Sequence, residues 1–209
     1  VGLTKTYGDA DPTFPFTDSP FVPSGYTGSL SRVTGENVGN YDFELGDVSA
    51  GSNYSLVLVA GNTFSITTRS ITVTATADTK GYDGTITSAA VPTITSGSLA
   101  SGDTTSFGQV FDNALVGTDK TLTPSGTITD GNGGANYTIT FNPVTTGTIT
   151  AGVITITPTT GQSRIYGNTD PVFAYTFRPD LASGDTFTGA LSRMAGSNVG
   201  TYAYTLDTL

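Results

Sequence analysis

Lys5-Thr-Tyr-Gly-Asp-Ala-Asp-Pro-Thr-Phe14 returns later in the chain, with substitutions, as Arg164-Ile-Tyr-Gly-Asn-Thr-Asp-Pro-Val-Phe173. An altered copy, Lys80-Gly-Tyr-Asp-Gly-Thr85, lies between them, so a tyrosine-glycine signature recurs at Tyr7, Tyr82 and Tyr166, 75 and then 84 residues apart. Spacings of that size mean whole folded modules in a row. Tandem modules usually serve length or avidity rather than chemistry, which sets the starting point for function.

The correspondence extends outward from the signature. Gly28-Ser-Leu-Ser-Arg32 recurs as Gly189-Ala-Leu-Ser-Arg193, and Gly35-Glu-Asn-Val-Gly-Asn-Tyr41 recurs as Gly196-Ser-Asn-Val-Gly-Thr-Tyr202. The middle unit joins at its far end, where Gly51-Ser-Asn-Tyr-Ser-Leu56 matches Gly134-Ala-Asn-Tyr-Thr-Ile139. This divides the 209 residues into units at 1–69, 70–152 and 153–209. The first is expected to lack an opening strand, and the third stops before any Gly-x-Asn-Tyr strand, so both chain ends are expected to present unpaired edges.

Thr, Ser and Gly dominate, and only 12% of residues are charged, which is poor material for surface helices and good material for strands. Ile71, Val73 and Ala75 alternate with threonines, as do Ile154 and Ile156. That is the period of two of a half-buried strand. Tyr41-Phe43-Leu45, Tyr54-Leu56-Leu58, Tyr137-Ile139-Phe141 and Tyr202-Tyr204-Leu206 alternate in the same way. Asp83-Gly84, Asp130-Gly131 and Gly133-Gly134 supply tight turns between them. The pattern predicts an all-β chain of tandem small β-sandwich-like modules, Ig-like or related. The junctions carry no long spacer, so the modules are expected to form an elongated rod.

A net charge of −9 and a sequence pI near 4.1 oppose binding to nucleic acid or anionic lipid. No apolar run reaches the roughly 20 residues of a membrane-spanning helix. Zero Cys and zero His remove disulfides, thiolate chemistry, a Ser-His-Asp arrangement and most transition-metal sites. The two glutamates, Glu36 and Glu44, become Ser197 and Thr205 in the third unit, so no acid-base pair is shared between copies. The chain is therefore not expected to be an enzyme. The sequence starts mid-pattern with no signal peptide pattern at Val1, so any targeting signal is expected to lie in a longer precursor.

The Lys-x-Tyr-Gly-Asp-x-Asp-Pro motif at Lys5 to Pro12, its copy at Arg164 to Pro171 and the Gly-x-Asn-Tyr segments resemble the mostly-β, glycine-rich domains called MBG. The middle unit, with Lys80-Gly-Tyr-Asp-Gly-Thr85, resembles the sibling YDG domain. The resemblance covers essentially the whole chain. It implies a repeat region of a large bacterial surface adhesin, secreted or held at the cell surface, which spaces a binding domain and supports cell adhesion or biofilm formation. The partners it implies are neighbouring repeats of the same chain, with a polysaccharide or another adhesin molecule beyond them. The competing reading is a glycan-binding module.

Few residues invite a site. Asp9 and Asp11, with Asp170 in the copy, have the carboxylate chemistry of a calcium loop, the one cofactor the sequence suggests. The stronger reading makes them turn formers, since neither loop has the five or six oxygen donors of a dedicated site. Phe21, Tyr26, Phe177 and Phe187 lie in the variable, Pro-rich stretches and are the ligand candidates for glycan recognition. Tyr7, Tyr82 and Tyr166 are expected to pack at module edges with their hydroxyls on backbone. Lys5 and Lys80 are expected to be solvated or carboxylate-paired cations rather than cross-linking lysines, because Arg164 takes their place in the third unit.

Overall fold

The computed structural model describes residues 2–19 and 25–209, and among these there is no helix. Phe21 lies outside the described residues. The alternation of branched aliphatics with threonine produces its strands where expected. In β5 (Arg69–Thr74) Ile71 and Val73 are fully buried while Thr72 and Thr74, which alternate with them, are half-buried. β5 is the centre of a three-stranded sheet: β10 (Tyr137–Asn142) lies parallel on one side and β7 (Thr93–Ser96) antiparallel on the other. The parallel pair runs in unbroken register from Tyr137 opposite Arg69 to Asn142 opposite Thr74.

Two larger sheets share one plan. β1 (Thr4–Thr6), β4 (Thr63–Thr67), β3 (Gly39–Glu44) and β2 (Ser31–Arg32) form the first, in that order. β6 (Thr79–Gly81), β11 (Val144–Thr150), β9 (Gly117–Thr129) and β8 (Thr104–Phe111) form the second. In each, the short strand carrying the signature lies parallel to the closing strand of its own unit. The third unit has only two pairs among the described residues, β12 (Thr155–Pro158) with β13 (Tyr175–Arg178) and β14 (Ser192–Arg193) with β15 (Tyr204–Thr205). The result is an all-β chain with curled sheets.

Most of the buried apolar residues fall into two clusters, with Ala50, Phe173 and Leu191 outside both. One holds Tyr7, Phe64 and Ile66 together with Ile71, Val73, Ile128 and Tyr137, so β4 and β5, separated by Thr68 alone, contribute to a single core across the first boundary. The other holds Ala75, Phe111, Leu122 and Ile149. The thirteen-residue β9 reaches both, through Leu122 and Ile128.

Two expected strands differ. Tyr54-Leu56-Leu58 alternates like its counterpart Tyr137-Ile139-Phe141, yet residues 52–59 form no strand. β10 owes its ladder to β5, and among the described residues nothing lies beside 52–59 in that role. Tyr202-Tyr204-Leu206 yields only the two-residue β15, because only β14 pairs with it.

Candidate functional site

Charged side chains are gathered at the base of each signature. Lys5 is 8% exposed and Arg32 7%, a depth cations reach only when paired. Lys5 Nζ lies 2.7 Å from Asp11 Oδ1 and also bonds Glu36. Arg32 donates Nε to Asp11 Oδ2 at 2.7 Å and a terminal nitrogen to Glu36 Oε1 at 2.7 Å, with its guanidinium over the rings of Tyr41 and Phe64. The Arg32 bond holds the Asp11 carboxyl below its usual range against the opposing effect of burial, and the Lys5 bond does the same for Glu36. Burial disfavours the charged Lys5, but Asp11 and Glu36 outweigh it and its pKa is raised.

The third unit repeats the cluster with Asp170 between Arg164, at 2.7 Å, and Arg193, at 3.0 Å, the latter stacked over Tyr202. Asp9 bonds Arg69. All three carboxylates considered for calcium thus face cations, and among the described residues no group of three or more His, Cys, Asp or Glu is placed to hold a metal. Lys80 pairs with Asp83 at 2.7 Å, and that bond, ahead of those from Thr85, lowers the Asp83 pKa to about 2.

The signature tyrosines do more than close an edge. The Tyr7 ring meets Tyr137 edge-on at 5.5 Å, and both hydroxyls converge on Asp103: Tyr137 donates to Oδ2 at 2.5 Å and Tyr7 to Oδ1 at 3.4 Å. The Tyr137 oxygen in turn accepts the Ala100 N–H at 2.8 Å. Burial foremost, then the bond to Asp103, pushes the Tyr137 pKa up to about 12. Arg69 Nε donates to the Tyr7 carbonyl at 2.7 Å. Gly8 is pressed so close that a Cβ there would lie 2.5 Å from Ala100 Cβ.

A second strut crosses the same boundary. Asn136, fully buried, accepts the Val38 N–H at 2.9 Å and donates Nδ2 to Asn37 Oδ1 at 3.0 Å. Asp130 organises the loop that presents it, accepting N–H groups from Asn132, Gly134 and Asn136. Although burial opposes charge there, these backbone donors keep the Asp130 pKa low.

The contact at Tyr7 has a copy. Leu99-Ala-Ser-Gly-Asp-Thr104 recurs unchanged as Leu181-Ala-Ser-Gly-Asp-Thr186. Tyr82 lies beside Asp185, whose carboxylate, ahead of burial, raises its pKa. A Cβ on Gly84 would lie 2.7 Å from Ala182 Cβ, as one on Gly8 would from Ala100. The first two signature loops therefore dock on the Ser-Gly-Asp loop of the unit that follows. The hydroxyls of Tyr7 and Tyr82 reach a carboxylate of the next unit rather than the backbone expected from sequence, because that loop aims its Asp across the boundary. Tyr166 sits on no such loop among the described residues and is 70% exposed. The repeated hexapeptide was the signal for this joint, and a search centred on the tyrosine motif passes over it.

The aromatic ligand candidates pack on their neighbours. Tyr26 meets Phe16 at 5.3 Å and 87°, with its hydroxyl donating to Asp18 at 3.1 Å. Phe187 meets Phe177 at 4.9 Å and 78° and Tyr175 at 5.9 Å and 85°. A sugar-stacking platform needs coplanar, open rings, whereas these pairs set edges against faces.

Fold and joints together define a tandem β-repeat protein whose recurring contacts lie between its units. The chain belongs to the MBG domain (YGX type) family, whose model matches residues 2–65 and again 154–209, and the YDG domain model matches residues 67–147 between them. No curated protein and no solved structure matches the chain.

Proposed function

We propose that this chain is a stalk segment of a bacterial cell-surface or secreted adhesin, an elongated rod of small β-sandwich-like units that holds a binding domain away from the surface. Its partners in this reading are the repeats on either side of it, and its contribution to adhesion or biofilm formation is mechanical spacing. No catalytic role is proposed.

The observation that carries the reading is the duplicated joint. Gly8 against Ala100 with Tyr7 on Asp103, and Gly84 against Ala182 with Tyr82 beside Asp185, are equivalent contacts at the two boundaries, and the first is backed by a core shared across the boundary. A slack tether needs neither. A repeated joint restricts bending, and restricted bending is what a spacer requires.

Small-angle X-ray scattering with and without calcium tests this. The expected result is an elongated monomer with the same maximum dimension in both conditions. A compact particle, or one that lengthens only when calcium is added, overturns it.

A further inference from the structure

The inward face of β9 begins with a lysine. Lys120 is 7% exposed and lies two residues before the fully buried Leu122, on the same face of the strand. A lysine is almost never buried to that depth unless a carboxylate meets it. Lys5 and Arg32 obey the rule, each in contact with Asp11 and Glu36. Lys120 departs from it. Its hydrogen-bond partner is the side-chain amide of Asn113, the Asp112 carboxylate stands 3.9 Å away, and among the described residues no other carboxylate lies within ion-pair distance.

The register of the hairpin brings these groups together. Phe111 faces Leu122 at the end of the β8 and β9 ladder, and beyond it the Asp112 N–H donates to the Thr121 carbonyl at 2.9 Å. One step further, Asn113 falls opposite Lys120 on the face that carries Phe111 and Leu122. Lys120 Nζ donates to Asn113 Oδ1, which sets the amine nitrogen beside Cγ, the carbon that bears this oxygen. The Leu115 N–H donates to the same oxygen at 3.1 Å. A backbone donor there stabilises the negative charge that an attack on Cγ would build. Asn113 itself is exposed, so a departing amide nitrogen has an open path to water.

We propose that Lys120 and Asn113 become joined by an isopeptide bond. The bond between Nζ and Cγ forms and the bond between Cγ and Nδ2 breaks. Asp112 carries two protons in turn from Nζ to the departing nitrogen, which leaves as ammonium. Nothing is oxidised or reduced, and every reacting group belongs to this hairpin. The link would close the turn between β8 and β9 covalently in a chain without cysteine, at one end of the strand that reaches both cores. It is independent of the stalk reading, because the chemistry is read from mass and the stalk from shape.

Intact-mass spectrometry of the denatured full chain is expected to fall short of the sequence mass by one ammonia, about 17 Da. Trypsin cuts after lysine and arginine, and a linked Lys120 resists it, so residues 81–164 are expected as a single peptide. Fragmentation of that peptide places the link between Asn113 and Lys120. Lys120→Arg and Asn113→Ala, made separately, are expected to restore the full mass. Asp112→Asn keeps both reacting groups and is expected to form about a tenth of the parent's link or less. A parent chain at its full sequence mass, cut normally after Lys120, overturns the proposal whatever the variants do. An ammonia loss that survives Lys120→Arg overturns it too, since the loss then belongs to ring closure at an asparagine. Undiminished linkage in Asp112→Asn overturns the proton transfer assigned to Asp112.

Discussion

At the residue scale, the side chains that matter are those whose charge or hydroxyl is held below the surface. Tyr137 joins Asp103 to the Ala100 amide, and Phe in its place leaves both partners short of a bond, so Tyr137→Phe is expected to lose about 1–2 kcal/mol in urea unfolding at pH 8. Its folded pKa, pushed up to about 12 from the ordinary 10.0, means that the folded state keeps its proton longer than the unfolded one. The stability tied to that group is complete below pH 10 and is lost as pH rises toward 12. Unfolding at pH 8 and pH 11 is therefore expected to show a steeper alkaline loss in the parent than in the Phe variant. The two carboxylates of the Lys5, Asp11, Arg32 and Glu36 cluster have the opposite sign. Asp11 and Glu36 are lowered from 3.8 and 4.5, so their contribution stands above those values and is lost as pH falls through the lower folded ones. Asp11→Asn leaves two buried cations with Glu36 as their remaining carboxylate, and is expected to cost about 1–3 kcal/mol at pH 7 after allowing for the partial solvent exposure of Asp11. The same substitution should flatten the acid limb of the stability curve below pH 4.5.

At the element scale, the joints hinge on loops with no room for a side chain. Gly8, at φ 81°, and Gly84, at φ 73°, are both left-handed and both press on an alanine of the following unit, whereas Gly167, at φ 90°, has open space where its Cβ would be. Gly8→Ala or Gly84→Ala adds a collision to the backbone strain and is expected to destabilise by about 2–4 kcal/mol, against about 1 for Gly167→Ala; thermal unfolding of the three variants side by side checks the difference. Much of this level was legible in sequence. Ile71, Val73 and Ile156 alternate with threonine and lie in strands, and the signature marked each loop that docks. Tyr54-Leu56-Leu58 misled because alternation records a strand's faces and not whether a partner strand is present. The Asp103 and Asp185 ends of the joints lay in a repeat with no aromatic landmark. Asn136 falls in a Gly-x-Asn-Tyr segment, and nothing in that string says that its amide will be buried against Asn37.

At the scale of the whole molecule, the units are not equally held. The first two share a core that contains Phe64 and Ile66 from one side of Thr68 and Ile71 and Val73 from the other. Breaking either half exposes apolar surface of both, so residues 2–150 are expected to unfold as one cooperative body. The third unit pairs through strands of four residues at most, and its link to the second runs through Tyr82, Asp185 and the close approach of Gly84 to Ala182. Short ladders and few buried apolar contacts put a segment at the low end of local stability. Hydrogen exchange followed across a urea series is thus expected to resolve two steps, with amides of 154–209 released first and those of β4, β5, β9 and β10 released together later. Asp185→Asn should lower the first step and leave the second in place, whereas Asp103→Asn should lower the second. If both substitutions moved a single common transition, the three units would form one cooperative body and the two-step expectation would be overturned.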